Sequence, residues 1–169
     1  ALAPISLVAG LAVAGVVDGV LAALPSSHGA DDSAAPIRAL VKWPNDVYLE
    51  GRKVAGVLVE ASTGLDGPPL VVVGVGLNVL GDCFPPELGA SATSLALAGG
   101  RELEREPICA ALIAAIVHFA DDFAARGLAP FLAELAERDF LRGRAVEVAG
   151  QPGTAEGFDQ AGCLLVRAP

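Results

Sequence analysis

The first 24 positions are almost wholly apolar. Pro4 followed by Ile5, Leu7, Val8, Leu11, Val13, Val16, Val17, Val20, Leu21 and Leu24 predicts a helix with proline in its first turn, apolar over an arc wide enough to be buried. Residues 25–36, rich in Ser, Ala, Gly and Asp and bracketed by prolines, read as an inserted surface loop that carries no chemistry. From Ile37 the pattern changes to short β-type runs at 37–42, 47–49, 52–60 and 70–79, with a Glu50-Gly51 turn, which predicts a meander of hairpins. Leu70, Val71, Val72 and Val73 are consecutive, the signature of a strand covered on both faces near the centre of a sheet.

Beyond Pro85-Pro86 the period becomes helical. Pro107 suits a first turn and Arg126-Gly127 a stop, with Ile108, Leu112, Ile113, Ile116, Phe119 and Phe123 as an inward stripe. A shorter helix is predicted over 128–138. From Phe140 onward, runs at 145–148 and 163–167 punctuated by Gly143, Gly150, Gly153, Gly157 and Gly162 read as the start of a small β-domain. The domain boundary is therefore placed between residues 138 and 139. Arg138, Arg142 and Arg144 read as a solvated face at that junction.

With 169 residues, 53% hydrophobic and 18% charged, the chain has the composition of one globular domain, or one with a small appendage, and not of a disordered tail. Twenty acidic against 11 basic residues give a formal charge of -9, which disfavours nucleic acid and anionic membrane as partners. Cys83, Cys109 and Cys163 lie far apart, without metal-ligand spacing and in odd number, which favours a reducing, cytoplasmic location. No Lys or Arg precedes Arg38 and Asp18 interrupts the first apolar run, so a buried helix is expected there in preference to a targeting or membrane-spanning segment. The absence of methionine suggests an internal piece of a longer protein, with apolar surface exposed around Leu7, Leu11, Val148 and Leu165.

Only two of the basic residues are lysines, Lys42 and Lys53, and both fall in the hairpin region. An ammonium is a compact point charge suited to a phosphate or carbonyl oxygen. Lys42-Trp43-Pro44-Asn45-Asp46 joins two strands; it is good turn chemistry, and equally a phosphate or Mg2+ site built on Lys42, Asn45 and Asp46. Lys53 stands at a strand entrance with Gly56 inside the strand, where a glycine marks either a bulge or the close approach of a ligand. Gly74-Val75-Gly76-Leu77-Asn78 has no helix after it and so is not a dinucleotide loop. Its glycines could instead admit a ligand to the sheet, with the Asn78 amide offered to a base edge. His28 and His118 have no ligand partners at suitable spacing and read as solvated or packed residues.

In order and spacing, Lys42–Asp46, Lys53–Glu60 and Gly74–Asn78 resemble the central motifs of biotin protein ligases. Ala92-Thr93-Ser94-Leu95, Asp139–Arg144 and Gly157–Val166 are similar to later segments of that family, so the resemblance spans nearly the whole chain. It implies an α/β (α+β) fold in which a mixed sheet flanked by helices, similar to class II aminoacyl-tRNA synthetase cores, precedes a truncated SH3-like β-domain. It also implies a two-step enzyme that makes biotinyl-5′-AMP from biotin, ATP and Mg2+ and then acylates a lysine of a biotin carboxyl carrier protein. Carried over by position, Lys53 is the catalytic lysine touching both biotin and the α-phosphate. Gly56 lies against the biotinyl-adenylate, Lys42, Asn45 and Asp46 line the phosphate side, and Asn78 meets adenine. The family's arginine- and glycine-rich biotin loop has no counterpart here and is expected upstream of Ala1. A homodimer through the sheet edge near Glu60–Thr63 is a further expectation. The competing reading is a non-catalytic module that binds adenylate or a partner.

Overall fold

The computed structural model describes residues 2–24, 37–62, 70–81, 84–99 and 103–169. The inserted loop, His28, Thr63 and Cys83 lie outside them. Helix α1 (Ala3–Ala23) is followed by strands β1 (Leu40–Lys42), β2 (Asp46–Leu49), β3 (Arg52–Ser62) and β4 (Leu70–Leu77), which form one sheet in that order. Helix α2 (Arg105–Arg126) and a 3-10 turn (Ala129–Phe131) running into α3 (Leu132–Glu137) come next. Strands β5 (Ala145–Val148), β6 (Gln151–Phe158) and β7 (Leu164–Arg167) make a second sheet in sequence order. Every ladder in both sheets is antiparallel. Among the described residues parallel pairing is confined to isolated bridges, Val41 with Asp139 and Lys53 with Ala92, so the expected mixed sheet is corrected to two antiparallel sheets.

Consecutive antiparallel strands need only tight turns, and the β2–β3 connection is the two-residue Glu50-Gly51 loop with φ of 48° and 79°. Positive φ at both central positions is what the right-handed twist of a hairpin selects. Helix α1 lies across the inner face of the first sheet, where Leu7, Leu11, Val13 and Val17 join Val41, Val47, Leu49, Val54 and Val57 in a core with essentially no solvent exposure. A Cβ on Gly10 would sit 3.4 Å from Val41 Cγ1, so helix and strand are in direct contact there. Although α1 is long and apolar enough to cross a bilayer, more than half of that stretch is buried in this fold. The expected exposure of Leu7 and Leu11 is corrected accordingly, whereas Val148 and Leu165 are exposed.

Four further expectations change. Strand β4 is the outer strand of its sheet among the described residues, and Leu70 is 62% exposed with Val71 and Val72 also open. An unbroken apolar run shows that a strand can be covered on both faces; it does not place the covering elements within this chain. Helix α2 buries only Ile108; Leu112, Phe119 and Phe123 are half-buried against the core, while Ile113 is 60% exposed. Arg138 is buried, not solvated. Its guanidinium donates to Asp18 Oδ2 (2.7 Å), Glu134 Oε1 (2.9 Å) and the Ala39 carbonyl (2.9 Å), while Asp18 Oδ1 accepts the Ala39 N–H (2.7 Å). Burial pulls the guanidinium pKa down, but the hydrogen bonds to Asp18 and Glu134 outweigh it and hold the group charged. The eight-residue β6 falls in the glycine-punctuated stretch where no strand was expected.

Candidate active site

One row of residues crosses all four strands of the first sheet. Lys42 pairs with Asp46, Asp46 with Gly56, and Gly56 with Gly76, so two charged side chains stand beside two positions with no side chain. A Cβ on Gly76 would meet nothing within 4 Å, whereas a Cβ on Gly56 would lie 3.1 Å from Lys53 Nζ and 3.4 Å from Asp46 Oδ1. The result is a bare trough on the side of the sheet facing away from α1, bounded by an ion pair: Lys53 Nζ stands 2.6 Å from Asp46 Oδ1.

A β-bulge puts Lys53 there. Val47 pairs with Ala55 but Tyr48 pairs with Lys53, leaving Val54 as the extra residue on β3. Val54 and Ala55 are consequently both buried. Strict alternation from Gly56 would have turned residue 53 toward the core, and the extra residue returns it to the face of Asp46 and Gly56. The Lys53 main chain is held as well, since its N–H donates to the Ser91 carbonyl and its carbonyl accepts the Thr93 N–H, each at 2.8 Å.

Asn45 does structural work. Its Nδ2 donates to the Val57 carbonyl (2.7 Å) and its own carbonyl accepts the Val57 N–H (2.8 Å), which extends the β2–β3 ladder past the end of β2. Asn78, at the end of β4, donates its N–H to Val54 O and its Nδ2 to Thr93 O (3.0 Å), and accepts from Leu95 N–H. Segment 91–95 thus ties Lys53 to Asn78. Within it, the Ser94 hydroxyl bonds the Gly81 carbonyl and accepts the Leu97 N–H, while Thr93 Oγ1 is buried without a partner. A pocket of about 440 Å3 lies away from the trough, between the end of β4 and α2, lined by Leu77, Asn78, Arg105, Ile108, Cys109 and neighbours. Of the candidate catalytic and binding residues Lys42, Asn45, Asp46, Lys53, Gly56 and Asn78, only Asn78 lines it.

The open face carries residues that sequence reasoning missed. Tyr48 faces the same side as Asp46, and its ring packs on Phe140 at 4.5 Å between centroids. Lys42 Nζ lies 5.6 Å from the Tyr48 ring and the Arg144 guanidinium 4.1 Å from that of Phe140. Burial, and secondarily the negative charge of Asp46, raises the Tyr48 phenol pKa against the opposing effect of Lys53. Period-two alternation from Asp46 would have found Tyr48; no local pattern signals Phe140, whose ring contact with Tyr48 joins distant parts of the sequence and brings Arg144, four residues on, to the same face. Among the described residues no three His, Cys, Asp or Glu side chains form a metal cluster, His118 is exposed beside Phe119, and Cys109 and Cys163 are exposed free thiols.

Comparison with known proteins places the fold in a class. Residues 3–78 match the biotin/lipoate A/B protein ligase family. The chain is 34% identical over 142 residues to a biotin–[acetyl-CoA-carboxylase] ligase of Paracoccus denitrificans, covering 78% of this chain and 58% of that protein. It is 30% identical over 155 residues to the bifunctional ligase/repressor BirA of Bacillus spizizenii, covering 87% of this chain and 47% of that protein. A biotin protein ligase from Aquifex aeolicus superposes with a TM-score of 0.79 at 26% identity, over 98% of this chain and 68% of the other. The same protein in complex with biotin and ATP gives 0.78, over 98% and 64%. Within the broad class of biotin and lipoate ligases, the chain belongs to the biotin protein ligase family. It spans about half the length of the relatives it matches in sequence.

Proposed function

We propose that the chain carries the ATP side of a biotin protein ligase that activates biotin as biotinyl-5′-AMP and transfers it to a lysine of a biotin carboxyl carrier protein. In the first step a biotin carboxylate oxygen attacks the α-phosphorus of ATP, the bond to the bridging oxygen breaks, and pyrophosphate leaves. In the second, the neutral amine of the acceptor lysine attacks the acyl carbon, AMP leaves, and the amine proton passes to solvent. The observation that carries the reading is the glycine-floored trough beside the Lys53–Asp46 pair. Two anions must meet in the first step, and a preorganised cation at the α-phosphate is what that transition state needs.

In this reading Lys53 is the catalytic lysine between biotin carboxylate and α-phosphate, and Gly56 leaves room for the adenylate. Lys42 and Asp46 face the phosphates, Asn45 shapes their turn, and Asn78 lies on the adenine side. Asp46 is the carboxylate that fits Mg2+, which is held by one or two carboxylates together with substrate phosphates. The bound ion would neutralise phosphate charge. The three strands after Phe140 are read as an SH3-like unit beginning at residue 139, the first sheet as related to class II synthetase cores, and the protein as cytoplasmic. A homodimer is proposed through the exposed Leu58, Leu70 and Val72 and the side of β3 near Glu60 that faces away from β4, where the β2 ladder has ended; a sedimentation run showing only monomer at micromolar concentration with biotin and ATP would remove it.

The test incubates this chain, and the longest reading frame containing it, with MgATP, biotin and a carrier domain, and weighs the carrier by mass spectrometry. A carrier gaining one biotinyl group supports the ligase. Adenylate binding without transfer by either protein would favour the non-catalytic module.

A further inference from the structure

We propose that Trp43 and Tyr48 are positioning residues through which the C-terminal segment, by Phe140 ahead of β5 and the β6–β7 loop at Gly162, holds the β1–β2 hairpin, and with it Lys42, Asn45 and Asp46, in register for ATP. The second clause rests on the ligase reading; the first does not. The hairpin consists of strands of only three and four residues, and β1 is the edge of its sheet. Short edge elements with few ladder bonds open at low cost unless something outside them intervenes. Beyond the packing of α1 on its inner face and the β3 ladder on one side, such contacts come here from residues 138–162.

At the turn, Trp43 Nε1–H donates to the Gly162 carbonyl at 3.1 Å, across 119 residues of sequence. That acceptor is itself fixed. Asp159 Oδ1 accepts the N–H groups of Ala161 and Cys163 at 2.8 Å, and the Gly162 N–H donates to the Asp159 carbonyl. Gly162 has φ of +75°, and a Cβ there would stand 3.3 Å from both Pro4 and Leu7, so the loop is seated on the start of α1 in a conformation suited to glycine. Along the strand, the Tyr48 ring packs on Phe140, with Arg144 over Phe140. On the β1 edge, Val41 N–H donates to Arg138 O (2.8 Å) and Phe140 N–H to Val41 O (3.0 Å). Trp43 adjoins Lys42 in the chain and Tyr48 lies two residues past Asp46, so the side-chain contacts bracket the charged pair. Sub-ångström placement of such groups governs how well they meet a substrate.

Two conservative variants of the whole protein test this. Trp43→Phe keeps the ring's bulk and deletes the donor; Phe140→Leu keeps apolar volume and deletes the ring contacts. Each should raise KM for ATP roughly five- to tenfold, as expected for one net hydrogen bond or aromatic contact, and leave KM for biotin within about twofold. Amide exchange at residues 46–48 should accelerate by about the same factor while the β3–β4 ladder at Val59 and Val73 is unchanged. Unchanged exchange overturns the proposal, as does faster exchange spread over the whole sheet with ATP and biotin weakened in parallel. Faster local exchange with an unchanged KM for ATP overturns the positioning role. If the unmodified protein binds neither ATP nor biotin, the ligase reading falls, the claim about ATP falls with it, and the exchange rates alone decide whether the C-terminal segment holds the hairpin.

Discussion

Lys53 and Asp46 meet at 2.6 Å over Gly56, on a face that Lys53 reaches only because Val54 is an extra residue in its strand. The lysine side chain is still 44% exposed, so the pair contributes at most about 1 kcal/mol to stability. Its ammonium is therefore available to exchange one carboxylate for another, or for a phosphate, at little cost to the fold.

Lys53→Ala should leave the melting temperature within a few degrees and lower biotin-dependent ATP–pyrophosphate exchange by at least a hundredfold, the scale of removing one preorganised donor at about 3 kcal/mol. Lys53→Arg should recover little, because a planar guanidinium does not fit a point-charge position. Normal exchange in Lys53→Ala would exclude this lysine from the first step.

Gly56→Ala places a methyl group 3.1 Å from Lys53 Nζ and 3.2 Å from its Cε. The tip of a flexible lysine can give way, so stability should change by less than about 1 kcal/mol, while adenylate formation falls because the ammonium is displaced from over the trough. Gly76→Ala, with nothing within 4 Å of its Cβ, is the control for ligand contact. Loss of adenylate binding in Gly76→Ala with an unchanged melt would mark the trough as the ligand's floor; unaltered binding in both variants would show that the trough is not used.

Much of this arrangement was legible because it is local. The hairpin order, the Glu50-Gly51 turn and the burial of α1 follow from periodicities and turn chemistry that operate within a few residues. Lys42, Asp46 and Gly56 fall on one sheet row by alternation, but the bulge that brings Lys53 to them cannot be read from alternation. The exposure of β4 and of Ile113 on α2, and the burial of Arg138, depend on which elements from distant sequence cover them. Leu70 to Val73 report only that the strand tolerates burial, and an arginine reads as solvated until Asp18, 120 residues away, is seen beside it.

Because Arg138 is buried with three partners, removing Asp18 should cost far more than removing Glu134. Asp18→Ala leaves the guanidinium without its main counter-charge and the Ala39 N–H without its acceptor. The expected loss is about 3 kcal/mol in urea unfolding, the low end for a buried pair because a quarter of the Asp18 side chain meets solvent. Glu134, 41% exposed and one helical turn from Arg138, should cost no more than about 1 kcal/mol as Glu134→Ala. Equal losses in the two variants would contradict this ranking.

Asp139 gives the fold a pH dependence of unusual sign. It bridges the first sheet at Val41, its Oδ1 accepts the Leu141 N–H at 2.8 Å, and its Oδ2 is buried without a partner. Burial raises its pKa above the ordinary aspartate value, partly opposed by backbone hydrogen bonds from Leu141 and Arg142 and by the Arg142 charge. A carboxyl whose folded pKa exceeds its unfolded one binds its proton more tightly in the native state. Its contribution is therefore fully present below the unfolded pKa and is lost as pH rises through the folded value, opposite to an ion-paired carboxylate. Asp139→Asn retains an acceptor for Leu141 and removes the titration. The stability of Asp139→Asn relative to the parent should accordingly improve as pH rises from below the ordinary aspartate range toward neutrality, because only the parent loses the contribution of the bound proton. Urea midpoints for both proteins from acid to neutral pH measure it, and a difference that is flat or runs the other way would show that burial does not raise the Asp139 pKa in the folded protein.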